Sequence, residues 1–346
     1  MRDITQVPAK ELKEKLGIKQ DYRIKQIFDW LWKKDNDSFD DFTNLPKELR
    51  EKLKERYYIP KLDITEIKEA SDGTRKIAFT LTDNKIIEGV LIPAGNRVTA
   101  CISSQVGCNV GCKFCATGKM GFFRNLSTGE IVFQVKKLNK LSEEFYGHKL
   151  TNIVFMGMGE PLLNYNNVLR ASEIITTPEG IGMSPRRITL STVGITDKII
   201  QLAKDKVKFN LAVSLHSANE IIRTNLIPIN KTHNLKKLQR AIFFFHKQTG
   251  NRITIEYLLM KNVNDSIEDA KELARFCKAF PCKINLIEYN PVEGIPYQKP
   301  DNIKIEAFKA LLESKNLIVN IRRSRGKDID AACGQLATKI VKKRKS

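Results

Sequence analysis

Short β-rich runs alternate with amphipathic stretches from about residue 97 onward, and this alternation constrains the fold more than any other feature of the sequence. The β-rich runs are VTACISS, TNIVFMGM, RITLSTVG, VKFNLAVSLH, RITIEYLLM and KINLIEYN. The stretches between them, such as TGEIVFQVKKLNKLSEEFY and SIEDAKELARFCKAF, repeat their apolar residues with helical spacing. Strand–helix repetition predicts a mainly parallel sheet covered by helices, and six such strands predict an α/β fold, a partial (β/α)6 TIM-like barrel. The functional residues of such barrels lie at the carboxyl ends of the strands.

The chain before this region has a different character. PAKELKEKLGI, DYRIKQIFDWLWKK and LPKELREKLKERYYI predict three short helices, with breaks at Gly17, Asn36–Ser38 and Pro46. RKIAFTLTDNKIIEGVLIP then predicts a hairpin with strands at 75–82 and 85–92. Glu88 is the only charged residue in IIEGVLIP and shares a face of its strand with Ile86, Val90 and Ile92. An edge-strand glutamate that points to water is the simpler interpretation of this pattern; a buried carboxylate would have a raised pKa and could accept a proton.

Four of the seven cysteines lie between residues 101 and 115. Cys108, Cys112 and Cys115 form a C-x3-C-x2-C cluster after the first predicted strand, and Cys101 stands seven residues upstream. Structural zinc prefers four ligands in paired C-x2-C knuckles, which this loop does not provide. Three thiolates on a 4Fe–4S cluster would leave one iron open to a substrate. The spacing favours the iron–sulfur cluster, although zinc remains an alternative at this point.

Composition indicates an anionic partner. The chain has 59 basic and 39 acidic residues, which gives a net charge of +20. Residues 315–346 contain ten basic residues against Asp328 and Asp330, and they include Cys333 close to Arg322, Arg323 and Arg325. Nucleic acid is the leading candidate for the partner, and we expect these arginines to contact its phosphates. No apolar run approaches the ~20 residues of a membrane span, and no secretory signal is evident, so we expect a cytoplasmic protein with reduced thiols.

The motifs together resemble one enzyme family. CISSQVGCNVGCKFCATGKMGFFRNL, FMGMGEPLLN, ITLSTVG, SLHSAN, EYNPVEGIPY and RGKDIDAACGQLA occur in this order. They resemble the RlmN/Cfr family of radical S-adenosylmethionine (SAM) RNA methyltransferases over roughly residues 10–340. The resemblance implies four regions: a helical RNA-recognition domain at 1–60, a hairpin linker carrying Glu88 at 61–94, a radical SAM barrel at 95–325, and a basic segment carrying Cys333 at 326–346.

The resemblance also implies the cofactors and their ligands. Cys108, Cys112 and Cys115 match the cysteines that hold one 4Fe–4S cluster. Two SAM molecules are consumed in each methylation, one as the methyl donor and one as the source of a 5′-deoxyadenosyl radical. The positions that match the SAM-binding residues of the family are Gly159, Glu160, Ser191, Ser214, Leu215, His216 and Asn290. Each of these matches is weak evidence on its own. For example, a histidine at a strand end, such as His216, is more often a structural residue than a ligand-binding one.

Three further residues match the family's catalytic positions. Cys333 matches the cysteine that is methylated and then carries the carbon to the RNA. Its arginine-rich surroundings would favour the thiolate that this transfer requires. Glu88 matches the base that removes the proton from the adenine ring. Cys101 matches the thiol that releases the product by forming a transient disulfide with Cys333.

The implied substrates are RNA. The family resemblance implies methylation of carbon 2 of adenosine 2503 in 23S rRNA and of adenosine 37 in tRNAs. Methylation of carbon 8 of the same ribosomal adenosine, as in Cfr relatives, is the nearest alternative. More distant alternatives are a non-catalytic zinc-containing RNA-binding protein and a radical SAM enzyme that acts on a protein or a metabolite. We expect a monomer that receives electrons from a flavodoxin-type donor and has no membrane association.

Overall fold

The computed structural model describes residues 1–34 and 38–336. The predicted break at Asn36 and the basic end of the chain from residue 337 lie outside the described residues. Within the described ranges, none of the helices has both the length and the apolar character needed to cross a lipid bilayer.

The three predicted N-terminal helices are present. They are α1 (Ala9–Leu16), α2 (Asp21–Lys33) and α3 (Lys47–Arg56). Gly17 ends α1 with a left-handed φ of 64°, a conformation that glycine adopts without steric cost, and Pro46 directly precedes α3. Two short strands, β1 (Arg2–Asp3) and β2 (Tyr57–Tyr58), pair in parallel and bring the two ends of this region together.

The rest of the chain builds the main sheet and its helices. The strands are β3 (Leu62–Glu69), β4 (Arg75–Leu81), β5 (Ile86–Ala94), β6 (Arg97–Cys101), β7 (Gln105–Gly107), β8 (Phe122–Asn125), β9 (Asn152–Phe155), β10 (Ile188–Thr192), β11 (Asn210–Ser214), β12 (Ile253–Leu259), β13 (Cys282–Glu288) and β14 (Ile318–Arg322). The helices are α4 (Ala116–Lys119), α5 (Thr128–Tyr146), α6 (Tyr165–Thr176), α7 (Thr196–Lys204), α8 (Glu220–Leu226), α9 (Leu235–Thr249), α10 (Ile267–Cys277) and α11 (Asn302–Ser314).

Ten strands form one mixed sheet in the order β14-β13-β12-β11-β10-β9-β6-β5-β4-β3. The seven strands from β6 to β14 in this order pair in parallel, whereas β3, β4 and β5 are antiparallel. The six predicted parallel strands are all present, and β14 adds a seventh. Its sequence, IVNIR, mixes apolar and polar residues and is half exposed, so it lacked the long apolar run that marked the other strands.

The predicted hairpin is confirmed, and it joins the barrel strands rather than standing apart. β4 and β5 pair with Ala78 opposite Glu88, and β5 continues into β6 with Val90 opposite Cys101. Directly opposed residues point to the same face of a sheet. Glu88, Val90 and Cys101 therefore share one face, because residues two apart on a strand also point the same way.

Candidate active site

A cavity opens at the carboxyl ends of the parallel strands, where the sequence pattern predicted a site. It encloses about 990 Å³ of empty space, its mouth included. Its lining includes the three clustered cysteines together with residues from seven other segments. Among the predicted site residues, the lining contains Cys108, Cys112, Cys115, Gly159, Glu160, Ser191, Ser214, His216 and Cys333. The fold thus gathers residues that lie up to 225 positions apart in the sequence.

The cysteine loop runs from β7 to α4 and is held by its own backbone. The Cys108 N–H donates to the Gly121 carbonyl at 2.9 Å, and the Cys115 N–H donates to the Cys112 carbonyl at 3.2 Å. Burial raises the pKa of Cys108 to about 12, and burial together with the neighbouring thiols raises the pKa of Cys112 well above its usual value. Cys112 is buried, and Cys108 and Cys115 are half-buried. Three mutually repelling thiolates in such a place require a strongly positive group between them. The donor set therefore fits an iron–sulfur cluster, in which each thiolate binds a separate iron.

Single-ion coordination is a different requirement. Within residues 1–34 and 38–336, no group of three or more His, Cys, Asp or Glu side chains is arranged to hold one metal ion. A cluster with several irons does not need its thiolates to converge on one point.

Gly159 and Glu160 form the wall of the cavity after β9. Gly159 has a φ of 97°, and a Cβ there would lie 2.5 Å from the Cβ of Gln105, so only glycine fits. The Glu160 carboxylate accepts hydrogen bonds from the Leu162 N–H at 3.0 Å and the Val193 N–H at 2.8 Å. Burial nevertheless raises the pKa of Glu160 to about 7. A carboxylate fixed in this way is suited to binding a cationic amino group.

The other predicted SAM residues divide into two groups. Ser191, Ser214 and His216 line the cavity, with the two serine hydroxyls 3.4 Å apart. Leu215 and Asn290 do not belong to the described lining. Leu215 directly follows β11 and is fully buried. The Asn290 amide donates to the Glu288 carbonyl at 3.3 Å.

His216 is held as a neutral ring. Its Nδ1 accepts the Leu258 N–H at 3.0 Å, and its ring meets Phe114 edge-on at a centroid distance of 4.9 Å. Burial, aided by the nearby Arg223 guanidinium, lowers the pKa of His216 to about 3. The proton therefore resides on Nε2, and His216 can donate one hydrogen bond from that atom.

The segment 326–336 carries Cys333 onto the cysteine loop. The Ala116 N–H, one residue after Cys115, donates to the Gly334 carbonyl at 2.7 Å. The Thr117 hydroxyl donates to the Leu336 carbonyl at 3.3 Å. On the other side the Gly326 N–H donates to an Asp72 carboxylate oxygen at 3.1 Å. These bonds hold the half-buried Cys333 at the cavity.

Cys101 lies at a second, smaller cavity with about 590 Å³ of empty space, which is also lined by Cys333. Cys101 ends β6 and is buried. Burial, with a smaller contribution from the Cys333 thiol, raises the pKa of Cys101 to about 12. Cys333 therefore faces the clustered cysteines in one cavity and Cys101 in the other.

Arg322 and Glu256 also belong to the site, and the sequence did not single out either for it. Arg322 lines both cavities, and its Nη1 lies 3.6 Å from the Met156 sulfur and 4.0 Å from the buried Glu256 carboxylate. The Cys333 thiol, more than any other group, raises the pKa of Arg322. We expected Arg322 to contact RNA phosphate, as Arg323 and Arg325 would, because β14 was not recognised as a strand with one face toward the site.

Glu88 is buried beside the site rather than in the lining of either cavity. It is 1% exposed, so the interpretation as a water-facing edge residue is wrong. Its carboxylate lies 3.6 Å from the Nζ of Lys76, which is also buried and donates to the Asp330 carbonyl at 3.2 Å. Lys76 thus connects Glu88 to the segment that carries Cys333. A lysine in RKIAF gave no signal of this role.

Comparisons with known proteins identify the family of the chain. Residues 102–277 match the radical SAM superfamily, and residues 2–59 match the ribosomal RNA large subunit methyltransferase N-terminal domain. A probable dual-specificity RNA methyltransferase RlmN from Cytophaga hutchinsonii is 50% identical, over 98% of this chain and 93% of its own length. The chain belongs to the RlmN family of radical SAM RNA methyltransferases.

Other members of the RlmN family and one solved structure extend the comparison. The dual-specificity RNA methyltransferase RlmN of Nautilia profundicola is 42% identical over 94% of this chain and 95% of its own length. The crystal structure of a radical SAM methyltransferase from Sphaerobacter thermophilus has a TM-score of 0.90 and 40% identity, covering 97% of this chain and 99% of that one. The predicted α/β radical SAM fold is therefore confirmed. Membership implies a 4Fe–4S cluster and SAM.

Proposed function

We propose that this RlmN-family chain methylates carbon 2 of adenosine 2503 in 23S rRNA and of adenosine 37 in tRNAs, through an S-methylcysteine on Cys333. The observation that carries the proposal is the position of Cys333, which lines the cavity of the clustered cysteines and also the cavity of Cys101. A methyl carrier needs both neighbours. It must receive and activate its carbon at the SAM site, and it must then be released by a second thiol.

Cys108, Cys112 and Cys115 would hold the 4Fe–4S cluster, and the wall of Gly159 and Glu160 would hold the amino group of SAM. When bound, the cluster and SAM supply the methyl group and the radical that activates it. The protein contributes the placement of these groups. Close backbone approach at Gly159 and the carboxylate of Glu160 orient SAM, while the neutral His216 offers one N–H donor.

Arg322 is placed to stabilise the thiolate forms of Cys333 and Cys101. Displacement of the methyl group from SAM requires a thiolate, because a neutral thiol is a poor nucleophile. The guanidinium of Arg322 shares a cavity with both Cys333 and Cys101, and Glu256 on its other side keeps it oriented. One arginine therefore stabilises Cys333 as it attacks the methyl group and Cys101 as it attacks the sulfur of Cys333.

Glu88 is the proposed base for the ring proton on carbon 2. The Lys76 ammonium lies 3.6 Å from this carboxylate. A carboxylate accepts a proton in its charged form. Because Glu88 is sealed while Lys76 holds the Asp330 carbonyl, the segment 326–336 must shift before an adenine can reach the carboxylate. Attack of the Cys101 thiolate on the Cys333 sulfur would then form a disulfide and break the bond between that sulfur and the carbon. The released carbon would take up a proton as the methyl group, and the one electron in excess, which entered with the radical, would return to the iron–sulfur cluster.

Analysis of the RNA product tests the proposal. Anaerobically prepared protein, given SAM, a reductant and 23S rRNA, should produce 2-methyladenosine, identified by mass spectrometry of nuclease-digested RNA against standards. The formation of 8-methyladenosine would assign the protein to the alternative regiochemistry. The absence of any methylated adenosine, with intact cluster and SAM cleavage, would refute the proposed substrate.

A second measurement shows whether Cys333 carries the methyl group or binds the iron–sulfur cluster. Cys333 lines the same cavity as the three clustered cysteines, so it could in principle supply a fourth thiolate to the cluster. Cys333→Ala should retain its iron and still cleave SAM, while losing all transfer of methyl to RNA. Loss of iron in this variant would contradict the carrier role.

A further inference from the structure

Two consecutive phenylalanines are exposed just after the cysteine loop that lines the main cavity. Phe122 is 43% exposed and Phe123 is 52% exposed, and both lie in β8. β8 follows α4 directly after the cysteine loop, and the carbonyl of Gly121 accepts the hydrogen bond of the Cys108 N–H. The pair is therefore fixed to the backbone of a proposed cluster ligand. Large apolar side chains on a surface are costly unless they meet a partner.

The local geometry exposes both rings at once. In a regular strand, consecutive side chains point to opposite faces, so one of two adjacent phenylalanines would turn toward the protein. The β7–β8 ladder contains an irregularity here: Gly107 pairs with Phe122 and Val106 pairs with Arg124, which leaves Phe123 as an extra residue. Such a bulge re-aims side chains and is common beside active sites.

Glycine makes this bulge possible. Gly107 has a φ of 75°, and a Cβ there would lie 2.0 Å from the Gly121 carbonyl oxygen. The backbones of β7 and β8 therefore approach more closely than any other residue would allow. The exposure of the two rings is built into the hairpin by its backbone and does not depend on a flexible loop.

The charge around the pair indicates what covers it. Between Gly89 and Gly129 the sequence contains Arg97, Lys113, Lys119 and Arg124 and no aspartate or glutamate. The charge of Arg124 is compensated by Asp83 at 2.7 Å and Glu130 at 2.8 Å. The Lys85 ammonium lies 4.7 Å from the centroid of the Phe123 ring. Aromatic rings interspersed with basic side chains bind single-stranded nucleic acid, because bases stack on the rings while phosphates contact the cations.

We propose that Phe122 and Phe123 form a stacking platform for an unpaired base of the RNA substrate. This inference rests on the proposed RNA methyltransferase function and deepens it, since it names the surface that receives the RNA beside the cysteine loop. Stacking is tolerant of sequence, because every base has a planar face. One platform therefore suits an enzyme proposed to act on both ribosomal and transfer RNA.

The test replaces both phenylalanines by alanine, tyrosine or leucine and compares these variants with a control substitution elsewhere on the chain. Phe122→Ala/Phe123→Ala should raise the KM for a 23S rRNA transcript roughly five- to a hundredfold, the range expected for lost base stacking. Replacement of both residues by Tyr should restore the KM to within about twofold of wild type, whereas replacement by Leu should not. Phe243→Ala is the matched control, because Phe243 is 44% exposed on α9 and lies beside a lysine, Lys247, in the same way.

A second readout distinguishes RNA binding from damage to the site. S-methylation of Cys333 in the absence of RNA, measured by intact mass, should stay within about twofold of wild type in every variant. A parallel loss of S-methylation would show that the phenylalanines support the cysteine loop, and would overturn the platform. A KM change no larger than that of Phe243→Ala, or full rescue by leucine, would also overturn it, as would a dimer that the alanine pair dissociates. If wild type methylates no RNA at all, the proposed function fails instead.

Discussion

At the scale of single residues, the site depends on side chains whose roles come from their neighbours. Arg322 is one of several arginines near Cys333 in the sequence, yet it alone of Arg322, Arg323 and Arg325 lines both cavities. Burial and a backbone hydrogen bond likewise make His216 a fixed neutral donor rather than a proton shuttle. Neither property can be read from residue type.

Arg322→Met should slow S-methylation of Cys333, because the attacking thiolate would lose its guanidinium partner. Each 1.4 kcal/mol of lost stabilisation lowers the rate about tenfold. Arg323 and Arg325 line the smaller cavity with Cys333, but only Arg322 of the three reaches both cavities. Arg322→Lys should recover part of the rate. Arg323→Met, its exposed neighbour, serves as the control, and equal loss in both variants would contradict the role given to Arg322. The measurement is the rate of methyl incorporation into Cys333, followed by intact mass.

His216 should make the folded protein acid-sensitive. Its pKa is lowered from 6.5 to about 3, so between these values only the unfolded chain takes up the proton, and stability is lost as the pH falls below 6.5. The loss at pH 5 amounts to about 2 kcal/mol. His216→Gln should therefore show a smaller drop in urea midpoint between pH 7.5 and pH 5 than wild type, while His148→Gln should show the wild-type drop. Parallel drops in all three proteins would refute the assignment of a neutral buried ring.

At the scale of elements, the spacing of apolar residues and the positions of glycine and proline predicted most of the helices and strands. The three N-terminal helices, the β4–β5 hairpin and six parallel strands follow from apolar spacing and from breaks at glycine and proline. The positions of Cys101, Cys333 and Glu88 relative to one another depend on strand register and on the docking of segment 326–336, which are tertiary properties. Their roles came from resemblance to a family, and β3 and β14 were missed because their outer faces are polar.

The docking of segment 326–336 should depend on Gly326. This residue has a φ of 63°, and a Cβ there would lie 2.7 Å from the Ala331 Cβ and 2.9 Å from the Thr74 Cγ2. Gly326→Ala should therefore displace the segment and reduce S-methylation of Cys333, while iron content and SAM binding persist. Gly250→Ala has the same kind of strain, with a φ of 70°, but meets no atom within 4 Å. It should cost about 1 kcal/mol of stability and leave methylation unchanged. Unchanged methylation in Gly326→Ala would mean that the docked segment is not needed for methyl transfer to Cys333.

At the scale of the whole molecule, the chain brings distant segments to one place. The N-terminal region is anchored on α5, where the Gly129 N–H donates to the Thr5 hydroxyl at 3.1 Å. The hairpin places Glu88 and Lys76 beneath segment 326–336, and the same segment reaches across to the cysteine loop. Two cavities that share Cys333 and Arg322 result from this closure. We predict that Cys333 carries the methyl carbon from one cavity to the other.

The most direct test of this central claim is the fate of Cys101→Ala with RNA under single-turnover conditions. The variant should keep its cluster, methylate Cys333 and attack adenine, but the link between the Cys333 sulfur and the base would have no thiol to break it. A covalent protein–RNA adduct should accumulate, survive denaturant, and disappear in Cys101→Ala/Cys333→Ala, while Cys277→Ala should behave as wild type. Normal multiple turnover by Cys101→Ala, or an adduct attached at Cys277 or Cys282, would contradict the account.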